Sequence, residues 1–338
     1  MAEALTDVRQ ISKIAYGFMA SKALFAALNL RLFGHVADGA ATLEALSAAT
    51  GIRPDPLATL LATLQSIGLV SLAGGKYANA PAADRYLVPG RPAYFGDYYR
   101  HQIDRQLYPS MMSIDAGLRG DAAGLAHNSM SSLLANPSEA EAFSLAQHAG
   151  SMGPALMLSK ALPLAGATSL LDVAGGTGAF SICFCRSNPA LRATIIDFPN
   201  VTDVARRFIA DSKLADRISL MPGDALETAW PEGQDVVLMS YLLSAVGGGD
   251  IAKLLARAHR SLVPGGRLII HDFMLDDDRA GPMPAAVFFL FYLSLRTDPI
   301  SFSAAEIMQS CAEAGFAGIA DSVLIPEITK VVTARKAG

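Results

Sequence analysis

The chain has 338 residues, of which 51% are hydrophobic and only 17% charged, enough for one large domain or two ordinary ones with apolar surface left over for a partner subunit. A net charge of −4 and a pI near 5.9 argue against a surface built to meet nucleic-acid phosphates. Three cysteines supply neither a disulfide framework nor a metal cluster, and Cys183, Cys185 and Cys311 read as small core residues in a reducing cytosol.

Asp7, Arg9 and Lys13 precede any apolar run, so the start of the chain does not read as a secretion signal. Residues 8–37 then carry helical periodicity through Ile11, Ile14, Phe18, Leu24, Phe25, Leu28 and Leu32. Thr42 caps a second helix that Gly51 ends. Pro54 or Pro56 starts a third helix, with Leu57, Leu60, Leu61, Leu64 and Ile67 on its apolar face, and a glycine-turn hairpin over 68–78 follows. This is a winged-helix order, but its charges oppose DNA binding. Residues 42–86 balance three acids against three bases, and the third helix carries Asp55 as its sole charge.

Residues 92–165 read as mostly helical, with a loop over 119–126 and a turn at Asn136-Pro137. From Ser169 onward strands alternate with helices. Strands are expected over 169–173, 193–197, 218–222, 235–240, 266–272 and 330–333, giving a doubly wound α/β sheet with its ligand at the strands' carboxyl ends. The apolar stretch 283–295 contains Pro284 and is too short to span a bilayer, so it reads as the lining of a pocket. A cytoplasmic protein with no membrane partner is expected.

The strand ends carry the chemistry. Asp172 precedes a glycine turn at Gly175, Gly176 and Gly178, whose spacing departs from the dinucleotide pattern G-x-G-x-x-G. An acid there repels a pyrophosphate and suits a cationic nucleoside such as S-adenosylmethionine. Asp197 ends the second strand in Ile-Ile-Asp-Phe-Pro, where a carboxylate accepts both ribose hydroxyls. Asp224, in Gly223-Asp224-Ala225, is placed to accept from an adenine amino group, and Met239 or Tyr241, flanking Ser240, to cover the ring. A lone Asp at a strand end is ordinarily a cap or turn former. Four such ends in order outweigh that reading.

These segments resemble the plant-type (caffeate and acetylserotonin) O-methyltransferase family. The resemblance rests on Leu171-Asp-Val-Ala-Gly-Gly-Thr-Gly, Ile196-Asp-Phe-Pro, Pro222-Gly-Asp-Ala, Leu262-Val-Pro-Gly-Gly-Arg and Ala314-Gly-Phe, and covers nearly the whole chain. It implies a homodimer that uses S-adenosyl-L-methionine on a small-molecule acceptor. It implies an α-helical winged-helix dimerisation domain over 1–90, a helical connector over 91–165 that contributes to the acceptor pocket, and a Rossmann-like doubly wound catalytic domain over 166–338. It places Gly175, Asp197, Asp224 and Ser240 on the cofactor, and Asp172, Gly176, Gly178, Phe198, Gly223, Ala225 and Tyr241 are expected beside them.

One segment departs from the family. Where its members carry a Leu-His-Asp-Trp type sequence, whose His takes the acceptor's proton, this chain has Ser244 followed by Ala245. A serine hydroxyl is a poor general base near neutral pH. Another group supplies the base, with His148, His101 and His271 as candidates; or the acceptor needs none; or the domain has lost methyl transfer. The second reading is preferred, because a thioether becomes a sulfonium without losing a proton and requires only proximity and alignment. A bacterial branch of similar architecture S-methylates 4-methylthio-2-hydroxybutyrate on the way to dimethylsulfoniopropionate. Such an acid calls for a cation, and Arg100, Arg105 and Arg296 are candidates, with Tyr98, His148 and Phe289 as further acceptor-side residues. O-, N- or C-methylation of an aromatic secondary metabolite is the alternative.

Overall fold

The computed structural model describes residues 4–125, 130–298 and 300–338. Residues 1–3, at the start of the expected N-terminal domain, and Ala126, at the end of the expected 119–126 loop, lie outside them. The chain forms two compact units, Glu3–Gln106 and Leu107–Gly338. Their boundary falls within the stretch read as a connector.

The first unit is mostly helical. Asp7 and Gln10 form a capping box at the start of α1 (Val8–Asn29). Then come α2 (Leu32–Ala37), α3 (Leu43–Thr50, capped by the Thr42 hydroxyl), α4 (Pro54–Ser66), the antiparallel hairpin β1 (Val70–Ala73) and β2 (Lys76–Asn79), and α5 (Pro81–Leu87). The helix, turn, helix, hairpin order matches the expectation. Leu28, Leu32, Phe33, Leu46, Leu57, Leu61 and Leu64 form its core. The periodic face of α1 divides, however. Phe25 and Leu28 are buried, whereas Val8, Ile11, Ile14 and Phe18 are 71%, 57%, 70% and 51% exposed in this chain. By length and composition alone α1 is apolar enough to cross a membrane, a property the sequence reading assigned to no segment. A π-helix, Tyr98–Leu107, carries buried Asp104, which takes Lys22 Nζ at 2.5 Å and Asn29 Nδ2 at 2.9 Å.

The second unit opens with short helices α6 (Tyr108–Ser110), α7 (Ile114–Leu118) and α8 (Met130–Leu134) and the long α9 (Pro137–Ala161), capped by Asn136. Strands and helices then alternate: β3 (Ser169–Val173), α10 (Ala179–Ser187), β4 (Arg192–Asp197), α11 (Pro199–Asp211), β5 (Ile218–Pro222), β6 (Gln234–Ser240), α12 (Gly248–Ser261), β7 (Leu262–Asp272), α13 (Met283–Tyr292), α14 (Ala304–Glu313), β8 (Phe316–Ile325) and β9 (Thr329–Lys336). The sheet order is β5-β4-β3-β6-β7-β9-β8. Its first five strands are parallel, and β9 and β8 close it antiparallel, so the sheet is mixed.

The order reverses between β3 and β6, which opens a crevice at their carboxyl ends. Strand β3 is buried from Leu170 to Val173 because helices cover both sheet faces. Phe184, on the helix that leaves the crevice, is fully buried in the core of one face. Phe184→Ala is therefore expected to cost about 3–5 kcal/mol, seen as a lower urea midpoint with an unchanged slope.

Candidate active site

At the end of β3 the chain turns sharply through Ala174 (φ 54°), Gly176 (φ 58°) and Gly178 (φ 81°). Gly175 is needed for a different reason: a Cβ there would stand 2.7 Å from Asp172 Cγ. Asp172 is buried under the turn. Its Oδ2 accepts from Ser181 Oγ at 2.7 Å, while its Oδ1 has no partner. Burial, aided by the field of Asp197, pushes its carboxyl up to about 7. Asp197, at the end of adjacent β4, accepts the Gly176 amide on Oδ2 and the Phe198 amide on Oδ1, both at 2.7 Å. Burial lifts it to about 6 despite those bonds. Two buried acids thus grip one glycine turn with neutral donors only, an arrangement that a cation completes. The orphaned Oδ1, beside a Gly175 backbone that carries no side chain, fits a cationic nucleoside.

The next strand ends continue the crevice. Gly223 donates to the Asp197 carbonyl at 2.8 Å and packs so close to Thr228 that no side chain fits. Asp224 Oδ1 caps the following turn through the Leu226 amide at 2.8 Å, the ordinary role of a strand-end acid, and Ala225 takes the Trp230 indole on its carbonyl. Ser240 Oγ meets His271 Nδ1 at 2.9 Å. Tyr241 has φ 55° and lies edge-on to His271 at 4.6 Å and tilted against Phe273 at 5.1 Å. A non-glycine residue held at positive φ beside a crevice is strain of the kind that marks functional sites. Met239, the other residue expected to cover the ring, is instead wholly buried in the core.

The candidate bases are all accounted for. His271 is buried with both nitrogens engaged, Nε2 at 3.0 Å from Thr329 Oγ1, and burial pushes it down to about 3. His148 Nδ1 lies 2.8 Å from Thr177 Oγ1 in the glycine turn, its ring stacks on Phe208, and burial lowers it to about 4. His101 lies in the first unit, near Asp97, and is lowered by burial. Tyr98 (against Phe95), Arg100 (paired with Asp97 at 3.0 Å) and exposed Arg105 also lie in the first unit. In the second, Phe289 packs edge-on against Phe302 as a core residue, and Arg296 forks onto Asp298 at 2.8 and 2.9 Å while reaching the Ala245 carbonyl at 3.3 Å.

Ser244 is fully buried. Its hydroxyl donates to Asp272 Oδ1 at 2.6 Å, its amide to Oδ2 at 3.1 Å, and the Tyr292 hydroxyl hydrogen-bonds it in turn. Burial pushes Asp272 up to about 6 and Tyr292 up to about 12. Sequence reasoning missed both. The signal for Asp272 was its place at a strand's carboxyl end, as with Asp172 and Asp197.

The chain that holds this glycine turn between buried acids is a methyltransferase that uses S-adenosyl-L-methionine, as its relatives show. Residues 134–317 match the family described as an O-methyltransferase domain, and residues 12–89 its dimerisation domain; the chain belongs to the O-methyltransferase family. It is 31% identical over 278 residues to the 3-hydroxy-5-methyl-1-naphthoate 3-O-methyltransferase of Streptomyces sahachiroi, covering 82% of this chain and 80% of that one. It is 28% identical over 324 residues to the L-tyrosine C(3)-methyltransferase of Streptomyces lavendulae, covering 92% and 87%. Human N-acetylserotonin methyltransferase, in complex with SAM, shares the fold with a TM-score of 0.86 at 22% identity, over the whole of both chains.

The two acids set a pH dependence. A cation favours their ionised forms, so binding lowers both pKa values and releases protons. Cofactor affinity is expected to rise with pH through about 6–7, the pKa values of Asp197 and Asp172, and to level off above. Calorimetry near pH 6.5, in buffers of different ionisation enthalpy, reads the proton release directly.

Proposed function

We propose that this enzyme methylates a neutral nucleophile without a general base, namely the sulfur of a thioether acid such as 4-methylthio-2-hydroxybutyrate. The observation that carries the reading is Ser244: the position expected to hold an imidazole holds a buried hydroxyl already committed to Asp272. S-adenosylmethionine, when bound, supplies an electrophilic methyl group on a sulfonium. The residues that fit it are Asp172, whose free Oδ1 suits the amino group, and Asp197, whose oxygens each keep a lone pair for a ribose hydroxyl. Asp224 Oδ2 suits the adenine amine, and Tyr241 the ring. We assign Arg296 to the acceptor's carboxylate. It lies beside Ala245, and three recorded bonds leave N–H groups on its five-donor fork. The working form we propose is a cytoplasmic homodimer built on the dimerisation domain.

With no proton to remove, the remaining contribution is to align the acceptor sulfur with the methyl group in a water-poor pocket. A second reading, O-, N- or C-methylation of an aromatic metabolite, is favoured by the relatives, which act on a naphthoate oxygen and a tyrosine carbon.

Paired assays with the thioether acid and a phenol separate the two. The expected result is turnover of the thioether acid, with kcat flat above about pH 7 because no base has to ionise. Turnover of the phenol alone, with a rate that climbs with pH, sinks the proposal. Asp197→Ala is expected to weaken cofactor binding by about 1–3 kcal/mol, and unchanged affinity by calorimetry refutes the ribose role.

A further inference from the structure

Asp272 is an isolated charge. It is wholly buried at the end of β7, and its recorded donors are neutral: the Ser244 hydroxyl and amide and the Phe273 amide at 2.8 Å. Among the described residues no cation lies within 4 Å of it. Arg296 is paired with Asp298, its remaining N–H groups being those assigned to the acceptor's carboxylate, and Lys330, the cross-strand partner of Asp272, is paired with Asp276. Removing a carboxylate from water without a matching cation is costly. The chain therefore keeps a negative charge at a place where it supplies no positive one.

The reaction assigned above supplies it. A lone pair of the acceptor sulfur forms the new S–CH3 bond, and the donor sulfur keeps the pair of the bond that breaks and becomes a neutral thioether. No proton leaves, and one positive charge moves from donor to acceptor. We propose that Asp272, held in place by Ser244, is the fixed counter-charge for the sulfonium that forms on the acceptor. The sheet places it accordingly. Asp172 lies under the glycine turn on β3, and Asp272 lies two strands across and three residues further out by register. That is a separation of roughly 10–15 Å for ordinary strand spacings. One acid stands at each end of the path the charge travels. Aromatic rings of Tyr241, Phe273 and Phe288 flank the outer end, the last two stacked at 4.0 Å.

This inference rests on the base-free reading, and binding measurements separate the two. With the protein saturated in S-adenosylhomocysteine, calorimetry compares 4-methylthio-2-hydroxybutyrate with its S-methyl sulfonium. The wild-type protein is expected to bind the sulfonium the more tightly; equal affinity overturns the counter-charge without any variant. Asp272→Asn is expected to weaken the sulfonium at least about tenfold while moving the thioether less than about twofold, and Asp272→Glu to restore the preference. These thresholds correspond to about 1.4 and 0.4 kcal/mol. An equal loss for both ligands makes Asp272 merely structural and overturns the inference. Failure to turn over the thioether, with the sulfonium preference intact, sinks the substrate assignment and leaves the counter-charge standing. Turnover without that preference does the reverse.

Discussion

The site depends on negative charge held out of water. Asp172, Asp197 and Asp272 lie at the end of three strands of one sheet or one residue before it, all are buried, and every hydrogen-bond partner named above is a neutral hydroxyl or amide. Each carboxyl is lifted well above its ordinary value because burial outweighs its hydrogen bonds. In the absence of a cation the native state binds their protons more tightly than the unfolded chain does, so these groups cost stability progressively as pH rises from about 4 through about 6–7. A cation seated among them would relieve that opposition. The glycine turn brings backbone close to two of those charges: a Cβ at Gly175 would meet the Asp172 carboxyl, and the Gly176 amide donates to Asp197.

The surrounding fold keeps the acids where they are. Strands β3 and β6 diverge at the topological switch, and buried apolar clusters pack on both faces of the sheet beneath it. His148 and His271, considered as bases from their sequence positions, are better understood as braces. One ties the glycine turn to α9 and α11, and the other ties Ser240 to Thr329 across β7 and β9. Both are driven towards the neutral form by burial, so neither adds a competing positive charge.

Much of this was legible in the sequence because strand boundaries coincide with unambiguous residues. β3 and β5 were read to the residue, since apolar runs meet a glycine turn in one case and Pro222-Gly223 in the other. β8 escaped notice because it is an edge strand whose middle is exposed, so Ala-Gly-Ile-Ala-Asp-Ser carries neither an apolar run nor a clean alternation. Asp272 is not distinguished in the sequence from an ordinary strand-end acid, because its partner Ser244 is brought to it only by the sheet. Met239 was offered to a ligand when its strand register makes it core. In α1 the periodicity was visible, but which half of the helix this chain buries is a property of the assembled enzyme and cannot be read from one copy.

The last point has a practical side. Val8, Ile11, Ile14 and Phe18 form a row of water-exposed apolar side chains on a helix most of which lies in the dimerisation domain. A dimer that buries such a row has an apparent stability that depends on protein concentration, by mass action. A melting temperature measured at one dilution does not transfer to another. Rates measured at the low enzyme concentrations of a kinetic assay describe a different population from the one present in a calorimeter cell.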